Sequence, residues 1–126
     1  MFEDLFSLRG RVALITGGSR GIGKMIAKGF IAYGARVYIS SRKADAGDAA
    51  VAELSEFGTV VYIPADVSKE AECIRLAEEV GKREEQVHIL VNNAGATAFT
   101  VMRRGASSLD RLRVSWCTAA LDVEYE

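Results

Sequence analysis

The residues best suited to chemistry are Thr16-Gly17-Gly18-Ser19-Arg20-Gly21-Ile22-Gly23, which follow the apolar run Val12-Ala13-Leu14-Ile15. Glycines permit a tight turn and let backbone N–H groups approach a ligand that a Cβ would block. A helix opening at this turn aims its unpaired amides and positive dipole end at the same point, which suits a phosphate. The plain alternative is an ordinary strand-to-helix turn that happens to be glycine-rich. Three other segments carry polar or charged groups that could meet the same ligand: Ser41-Arg42, Asp66-Val67 and Asn92-Asn93-Ala94-Gly95.

These groups converge only if the chain between them is folded appropriately, and its pattern meets that condition. A strand is expected at about 11–16 and a helix at about 21–33, with Ile22, Met25, Ile26, Phe30 and Tyr33 on one apolar face. Gly34 follows where a left-handed C-cap belongs. A β-branched and aromatic strand comes next at Arg36-Val37-Tyr38-Ile39-Ser40. An alanine-rich helix over about 44–57 places Ala46, Ala50, Leu54 and Phe57 at helical spacing, and Gly58 closes it as Gly34 closes the first. Thr59 to Ile63 is a third strand, stopped by Pro64. Ser68 is placed to cap a helix with Glu70 and Glu72 in its first turn and Cys73, Leu76, Ala77 and Val80 facing inward. Lys82 and Arg83 fall in its last turn, and a fourth strand runs from Val87 to Val91. Gly29 lowers helix propensity unless it lets the first helix pack closely on the sheet. Strands alternating with helices imply a parallel sheet covered on both faces, with ligands bound outside the carboxyl ends of the strands. All four polar segments lie at those ends.

Composition narrows the class further. At 126 residues the chain suits one domain, and its 49% hydrophobic and 26% charged content is ordinary for a globular protein. A net charge of −1 gives no electrostatic case for nucleic acid or an anionic membrane. No apolar run approaches the roughly 18 residues of a membrane span. Cys73 and Cys117 lack CxxC spacing and fit free thiols in a reducing compartment, so a soluble cytoplasmic location is expected. His88 is the only histidine, which excludes a multi-histidine metal site; at a strand start it is expected to be structural.

Thr16 to Gly23 resembles the Thr-Gly-x-x-x-Gly-x-Gly cofactor motif of the short-chain dehydrogenase/reductase family. Asn92-Asn93-Ala94-Gly95 is similar to that family's Asn-Asn-Ala-Gly motif after the fourth strand. The resemblance covers residues from about 8 to 96. It implies an α/β fold: the N-terminal part of a Rossmann-like doubly wound parallel sheet, with four strands and three well-formed helices. It further implies that Gly17, Gly18, Ser19, Arg20, Gly21, Ile22 and Gly23 surround a dinucleotide's phosphates and ribose. Asp66 and Val67 would hold the adenine ring, although a turn or capping role is the simpler account of Asp66. Asn93, Ala94 and Gly95 would line the nicotinamide-side ribose, while Asn92 serves the backbone. Subgroup features, including Arg20 and Pro64-Ala65-Asp66-Val67-Ser68, look most like 3-oxoacyl-carrier-protein reductases, with the rhamnolipid-type branch among them. The implied reaction is reduction of a 3-oxoacyl thioester-like carbonyl to an alcohol, in relatives that form homo-oligomers.

The form of the cofactor follows from charge. An acid near the end of the second strand would accept hydrogen bonds from a ribose 2′-OH and repel a 2′-phosphate. The chain instead reads Ser40-Ser41-Arg42-Lys43, and Arg42 with Arg20 could clamp a phosphate. NADP(H) is therefore expected, unless Arg42 and Lys43 are simply solvated loop charges.

The resemblance stops short of the family's catalytic pair, a tyrosine with lysine four residues on. Such a tyrosine passes a proton to the carbonyl oxygen, and the lysine lowers its pKa from near 10. Here Tyr33, Tyr38 and Tyr62 are followed at that spacing by Val37, Arg42 and Asp66, and Tyr125 only by Glu126. No catalytic residue is assigned. A non-catalytic nucleotide-binding or interaction module is therefore the alternative to a reductase. Composition also changes near Ala96: residues 96–126 hold four arginines and no lysine, against seven and five before. This divides the chain into a cofactor-binding half-domain, 1–96, and a divergent tail, 97–126, irregular or weakly helical over Ser108 to Leu121. A frameshifted or alternatively spliced ending is the expectation for such a tail. A sheet ending at the fourth strand would leave an unpaired edge and exposed apolar surface, inviting self-association.

Overall fold

The apolar runs become the strands, as burial on both faces of a parallel sheet requires. A computed structural model describes residues 2–67, 69–93 and 100–103. Its elements are α1 (Phe2–Leu5), β1 (Val12–Thr16), α2 (Gly21–Ala32), β2 (Arg36–Ser41), α3 (Ala44–Leu54), β3 (Val60–Pro64), α4 (Glu70–Gly81), β4 (Ile89–Asn92) and β5 (Thr100–Arg103). The sheet order is β3-β2-β1-β4-β5; the first four strands are parallel, and β5 runs antiparallel to β4. The chain winds outward from β1 to β3 and then returns to β4 on the other side of β1. That reversal leaves a crevice between the carboxyl ends of β1 and β4.

Two apolar layers sandwich the sheet. Ala13, Ile15, Val37, Ile39, Val60 and Val91 pack under α2 and α3 against Ala27, Ile31, Ala50 and Leu54. Leu14, Tyr38, Ile63 and Leu90 pack under α4 against Cys73, Leu76 and Val80. Successive strand residues alternate between the layers, as the pleat dictates. The four-strand, three-helix α/β architecture expected from the sequence is present.

Several local expectations are corrected. The inward face of α2 is Gly23, Ala27 and Ile31, flanked by Ile26 and Phe30. Ile22, Met25 and Tyr33 are 63%, 71% and 56% exposed. Small residues let the helix lie close to the sheet, so the larger apolar side chains sit on its flank. Gly34 does close α2: at φ +98° it accompanies Gly34 N–H to Ile31 O and Ala35 N–H to Phe30 O bonds, a Schellman pair. Gly58 does not repeat this, because α3 ends at Leu54 with Ser55 as its C-cap. Phe57 is consequently half exposed, with the Lys28 ammonium 4.9 Å from its ring centroid. The residue capping α4 is Lys69, without a side-chain cap bond, and Ser68 lies outside the described residues. Lys82 and Arg83 follow α4 rather than ending it, and both pair with Glu79.

The fourth strand is not the sheet edge. β5 pairs with it from Ile89↔Arg103 to Asn92↔Thr100, and Leu14, Leu90 and Val91 are buried. Thr100 and Val101 supply the β-branched character that suits a strand. The weak helix expected over Ser108 to Leu121 lies outside the described residues.

Gly29 does not pack on the sheet. A Cβ there would meet nothing within 4 Å. Gly29→Ala is accordingly expected to stabilise the chain by about 0.5–1 kcal/mol, by removing glycine's backbone freedom in the unfolded state. Chemical denaturation measures this, and an unchanged or lower midpoint contradicts it.

Polar side chains fasten the amino ends of the strands. Val12 N–H donates to His88 Nδ1 at 3.0 Å while His88 N–H donates to the Val12 carbonyl at 2.9 Å. The structural role expected of His88 is thus observed. Glu84 accepts from Arg36 at 2.6 Å and from the Tyr38 phenol at 2.8 Å. Burial, reinforced by that bond, pushes the Tyr38 phenol up to about 12. Burial alone would raise the Glu84 carboxyl, but the Arg36 and Tyr38 hydrogen bonds and the Arg36 charge outweigh it and hold it low. A lowered folded pKa means that the stabilisation is complete above the ordinary glutamate value of 4.5 and is lost as pH falls through the folded value. Glu84→Gln should therefore flatten the acid limb of the stability profile. Denaturation midpoints from neutral pH to about pH 3 report it, and parallel profiles for the two proteins would refute it.

Candidate functional site

The glycine turn sits at the crevice between β1 and β4, braced from both neighbouring strands. Gly17 N–H donates to the Ser40 carbonyl at the end of β2, 2.7 Å away. On the other side, buried Thr16 donates its hydroxyl to the Val91 carbonyl at 3.3 Å and accepts Asn93 N–H at 3.0 Å. Asn93 Nδ2 then donates to the Gly17 carbonyl at 3.2 Å. A single threonine and a single asparagine thus lock the turn to β4.

The glycines have distinct jobs. Gly17 and Gly21 adopt φ of +68° and +61°, the left-handed region that a side chain disfavours. Gly18 and Gly23 are required by space. A Cβ on Gly18 would stand 2.6 Å from Ile39 Cγ2, and one on Gly23 would stand 2.3 Å from the Gly17 carbonyl oxygen. Arg20, extended at φ −158°, precedes α2 without offering a side-chain cap. The first turn of α2 contains no acidic residue, whereas α3 has Asp45 and α4 has Glu70 and Glu72. The positive end of the α2 dipole is left for an external anion.

A cleft of about 530 Å³ opens beside this turn, lined by Gly17, Ser19, Arg20, Ser40, Ser41, Arg42, Lys43, Ala46, Ala65, Asp66, Val67 and Asn93. Eight expected positions form its wall: Gly17, Ser19, Arg20, Ser41, Arg42, Asp66, Val67 and Asn93. Gly18, Gly21 and Gly23 shape the turn from behind. The Ile22 side chain is exposed and is not part of the wall. Ala94 and Gly95 lie outside the described residues. Sequence reasoning missed Ser40, Lys43, Ala46 and Ala65 as wall residues, and Thr16 as the brace. Ser40 carried a signal: it is a polar side chain in a strand otherwise buried from Val37 to Ile39.

The wall is cationic. Arg20, Arg42 and Lys43 face one carboxylate, Asp66, and none of the three is ion-paired among the described residues. Elsewhere Lys24, Arg36, Arg75, Lys82 and Arg83 each hold a glutamate. Ser40, itself 1% exposed, adds a hydroxyl with no hydrogen-bond partner among the described residues. Unmatched cations, an orphaned hydroxyl and a turn that a Cβ would fill form an arrangement suited to a phosphorylated, hydroxyl-bearing ligand.

The short chain dehydrogenase family profile matches residues 11–111, from β1 through β5. The chain belongs to the short-chain dehydrogenase family. The family match extends fifteen residues beyond the point where the motif resemblance fades. The rhamnolipids biosynthesis 3-oxoacyl-[acyl-carrier-protein] reductase of Pseudomonas aeruginosa is 52% identical over 92 residues, covering 73% of this chain and 36% of that protein. A solved Pseudomonas aeruginosa RhlG/NADP active-site complex superposes with a TM-score of 0.70 at 52% identity, over 73% of this chain and 37% of that one. Hydroxysteroid dehydrogenase from Escherichia coli gives a TM-score of 0.71 at 39% identity, over 75% and 40%. The chain therefore spans somewhat more than a third of these short-chain dehydrogenases. Among its described residues no helix is long and apolar enough to cross a membrane.

Proposed function

We propose that this chain is the NADP(H)-binding portion of a short-chain oxidoreductase that reduces a 3-oxoacyl thioester-like carbonyl to an alcohol. The observation that carries the cofactor reading is three cleft cations without an ion pair among the described residues: Arg20 from the glycine turn, and Arg42 and Lys43 at the carboxyl end of β2, where an acid would select NAD(H). The structure of the relative in complex with NADP, at 52% identity, supports the same choice. The name of the 3-oxoacyl-carrier-protein reductase supports the substrate class, although a steroid dehydrogenase shares the same fold over this segment.

On this reading the glycine turn and the start of α2 hold the pyrophosphate. Arg42, helped by Arg20 and Lys43, takes the 2′-phosphate through charge-assisted hydrogen bonds. Asp66 and Val67 bound the adenine, the Ser40 hydroxyl meets the adenosine ribose, and Asn93 with Ala94 and Gly95 bounds the nicotinamide ribose. The cofactor supplies hydride when bound. The residues of this chain orient it and keep its phosphates in a fixed cationic frame.

Titration of the 126-residue chain with NADPH and with NADH tests the assignment. NADPH should bind more tightly by about tenfold or more, the worth of one charge-assisted contact. Equal affinity for the two, or no binding, defeats it. A second reading, nucleotide binding without turnover, is favoured for this stretch because none of its tyrosines has lysine four residues on. NADPH oxidation in the presence of a 3-oxoacyl thioester separates the two: measurable reduction by the purified chain overturns the second reading.

A further inference from the structure

Tyr62 stands on β3, outside the cleft wall, yet it grips the residue from which the cationic loop departs. Its phenol donates to the Ser41 carbonyl at 2.9 Å, and the Ser41 hydroxyl donates back to the Tyr62 oxygen at 3.2 Å. The same carbonyl also accepts Ala65 N–H at 3.0 Å, so both of its lone pairs are engaged. The tyrosine ring lies against α3 at Gly47, where a Cβ would fall 2.3 Å from two ring carbons. Only glycine admits the ring there. Gly47 N–H in turn takes the Lys43 carbonyl at 3.1 Å, the first helical bond of α3.

The loop carrying Arg42 and Lys43 is therefore held at both ends. Tyr62 fixes Ser41 on one side, and Gly47, against the same ring, fixes Lys43 on the other. A loop ordered before binding does not lose that freedom when a phosphate arrives, so its cations act at full strength. The Ser41 hydroxyl has one hydrogen, and a phosphate only accepts. Ser41 can turn that hydrogen to a ligand while the Tyr62-to-carbonyl bond still holds its backbone in place. The reciprocal pair is thus a clamp with one releasable bond.

We propose that Tyr62 is a positioning residue that sets the preference of the cleft for a 2′-phosphate, by fixing the Ser41–Lys43 loop without touching the ligand. This inference rests on the reading of the cleft as an NADP(H) site. Adenosine 2′,5′-bisphosphate and adenosine 5′-monophosphate differ in that phosphate alone, and their affinities for the 126-residue chain, measured by calorimetry, give the preference directly.

In Tyr62→Phe, which keeps the ring on Gly47 and removes both hydroxyl bonds, the preference should fall about fivefold, the factor one hydrogen bond supplies. Affinity for the monophosphate should stay within about twofold. Tyr38→Phe, which removes a buried phenol at the opposite end of β2, should lower the Tm and leave the preference unchanged. Gly47→Ala, which pushes the ring from the helix side, should lower the preference in the same direction, and it carries the test if Tyr62→Phe does not fold. A folded Tyr62→Phe with the wild-type preference overturns the proposal, as does an equal loss of both nucleotides or a Tyr38→Phe that shifts the preference as far. A wild-type chain that does not discriminate removes the cofactor reading itself, and this inference with it. Discrimination in the wild type that survives both Tyr62→Phe and Gly47→Ala removes this inference alone.

Discussion

Gly23→Ala should abolish nucleotide binding and lower stability by about 1–3 kcal/mol, the usual cost of forcing an extra methyl into a packed site. The new Cβ would stand 2.3 Å from the Gly17 carbonyl oxygen, 2.9 Å from its carbon and 2.5 Å from Asn93 Nδ2. The two Gly17 atoms are backbone and cannot swing aside. Two belong to the turn itself, and the third is the amide that ties the turn to β4. Relief requires opening the turn, which moves the backbone N–H groups away from the phosphate position and breaks the Asn93 bond. Both effects act on one structure, so the loss of affinity and the drop in denaturation midpoint should appear together. A Gly23→Ala chain that melts like the wild type and binds NADPH normally would refute the assignment of this glycine to close packing. Gly21 offers the contrast: a Cβ there meets nothing within 4 Å, so substitution there incurs only the left-handed backbone penalty.

The second large effect is expected at Arg42. Arg42→Ala should weaken NADPH binding by roughly 10- to 100-fold, because a hydrogen bond to a charged group contributes about 1.5–3 kcal/mol. NADH, lacking the 2′-phosphate, should change by less than about twofold on the same argument. The prediction rests on Arg42 lining the cleft with no carboxylate paired to it among the described residues. Salt should reproduce part of the loss for NADPH and little for NADH, since the interaction lies at a solvent-facing edge. Parallel titrations of both nucleotides measure the ratio. An equal loss of both would place Arg42 in the fold instead of at the 2′-phosphate, and no loss would leave Arg20 and Lys43 as the operative cations.

The strands were legible because their burial on two faces writes itself as unbroken apolar runs. The turn was legible because its glycines and the following helix period fall in one order. The inward face of α2 was not, and the reason is physical. Hydrophobic periodicity finds the face carrying the largest apolar side chains, but this helix meets the sheet through Gly23 and Ala27. Close approach favours small residues, so Ile22 and Met25 stand exposed on the flank of the helix. The brace from Thr16 to Asn93 links residues 77 positions apart and leaves no local trace in the chain. The clamp on Ser41 was hidden in the same way, since Tyr62 reads only as a strand aromatic. Four residues of β5 fell where composition had changed, too short a run to declare a strand. Cleft residues belonging to the turn and its flanking loops were found. Ser40 and Ala65, buried beside them on the sheet edge, became visible only once the strands were in register.

The hydroxyl of Ser40 carries a cost in the free protein. Buried without a partner among the described residues, it raises the energy of the folded chain by the unrecovered part of its desolvation, of order 1–3 kcal/mol. A ligand that bonds to it recovers that energy in the complex. If the cleft takes a nucleotide as proposed, affinity and conformational stability draw on the same atom. Thermal stability then gauges occupancy, rising with ligand concentration as the affinity dictates.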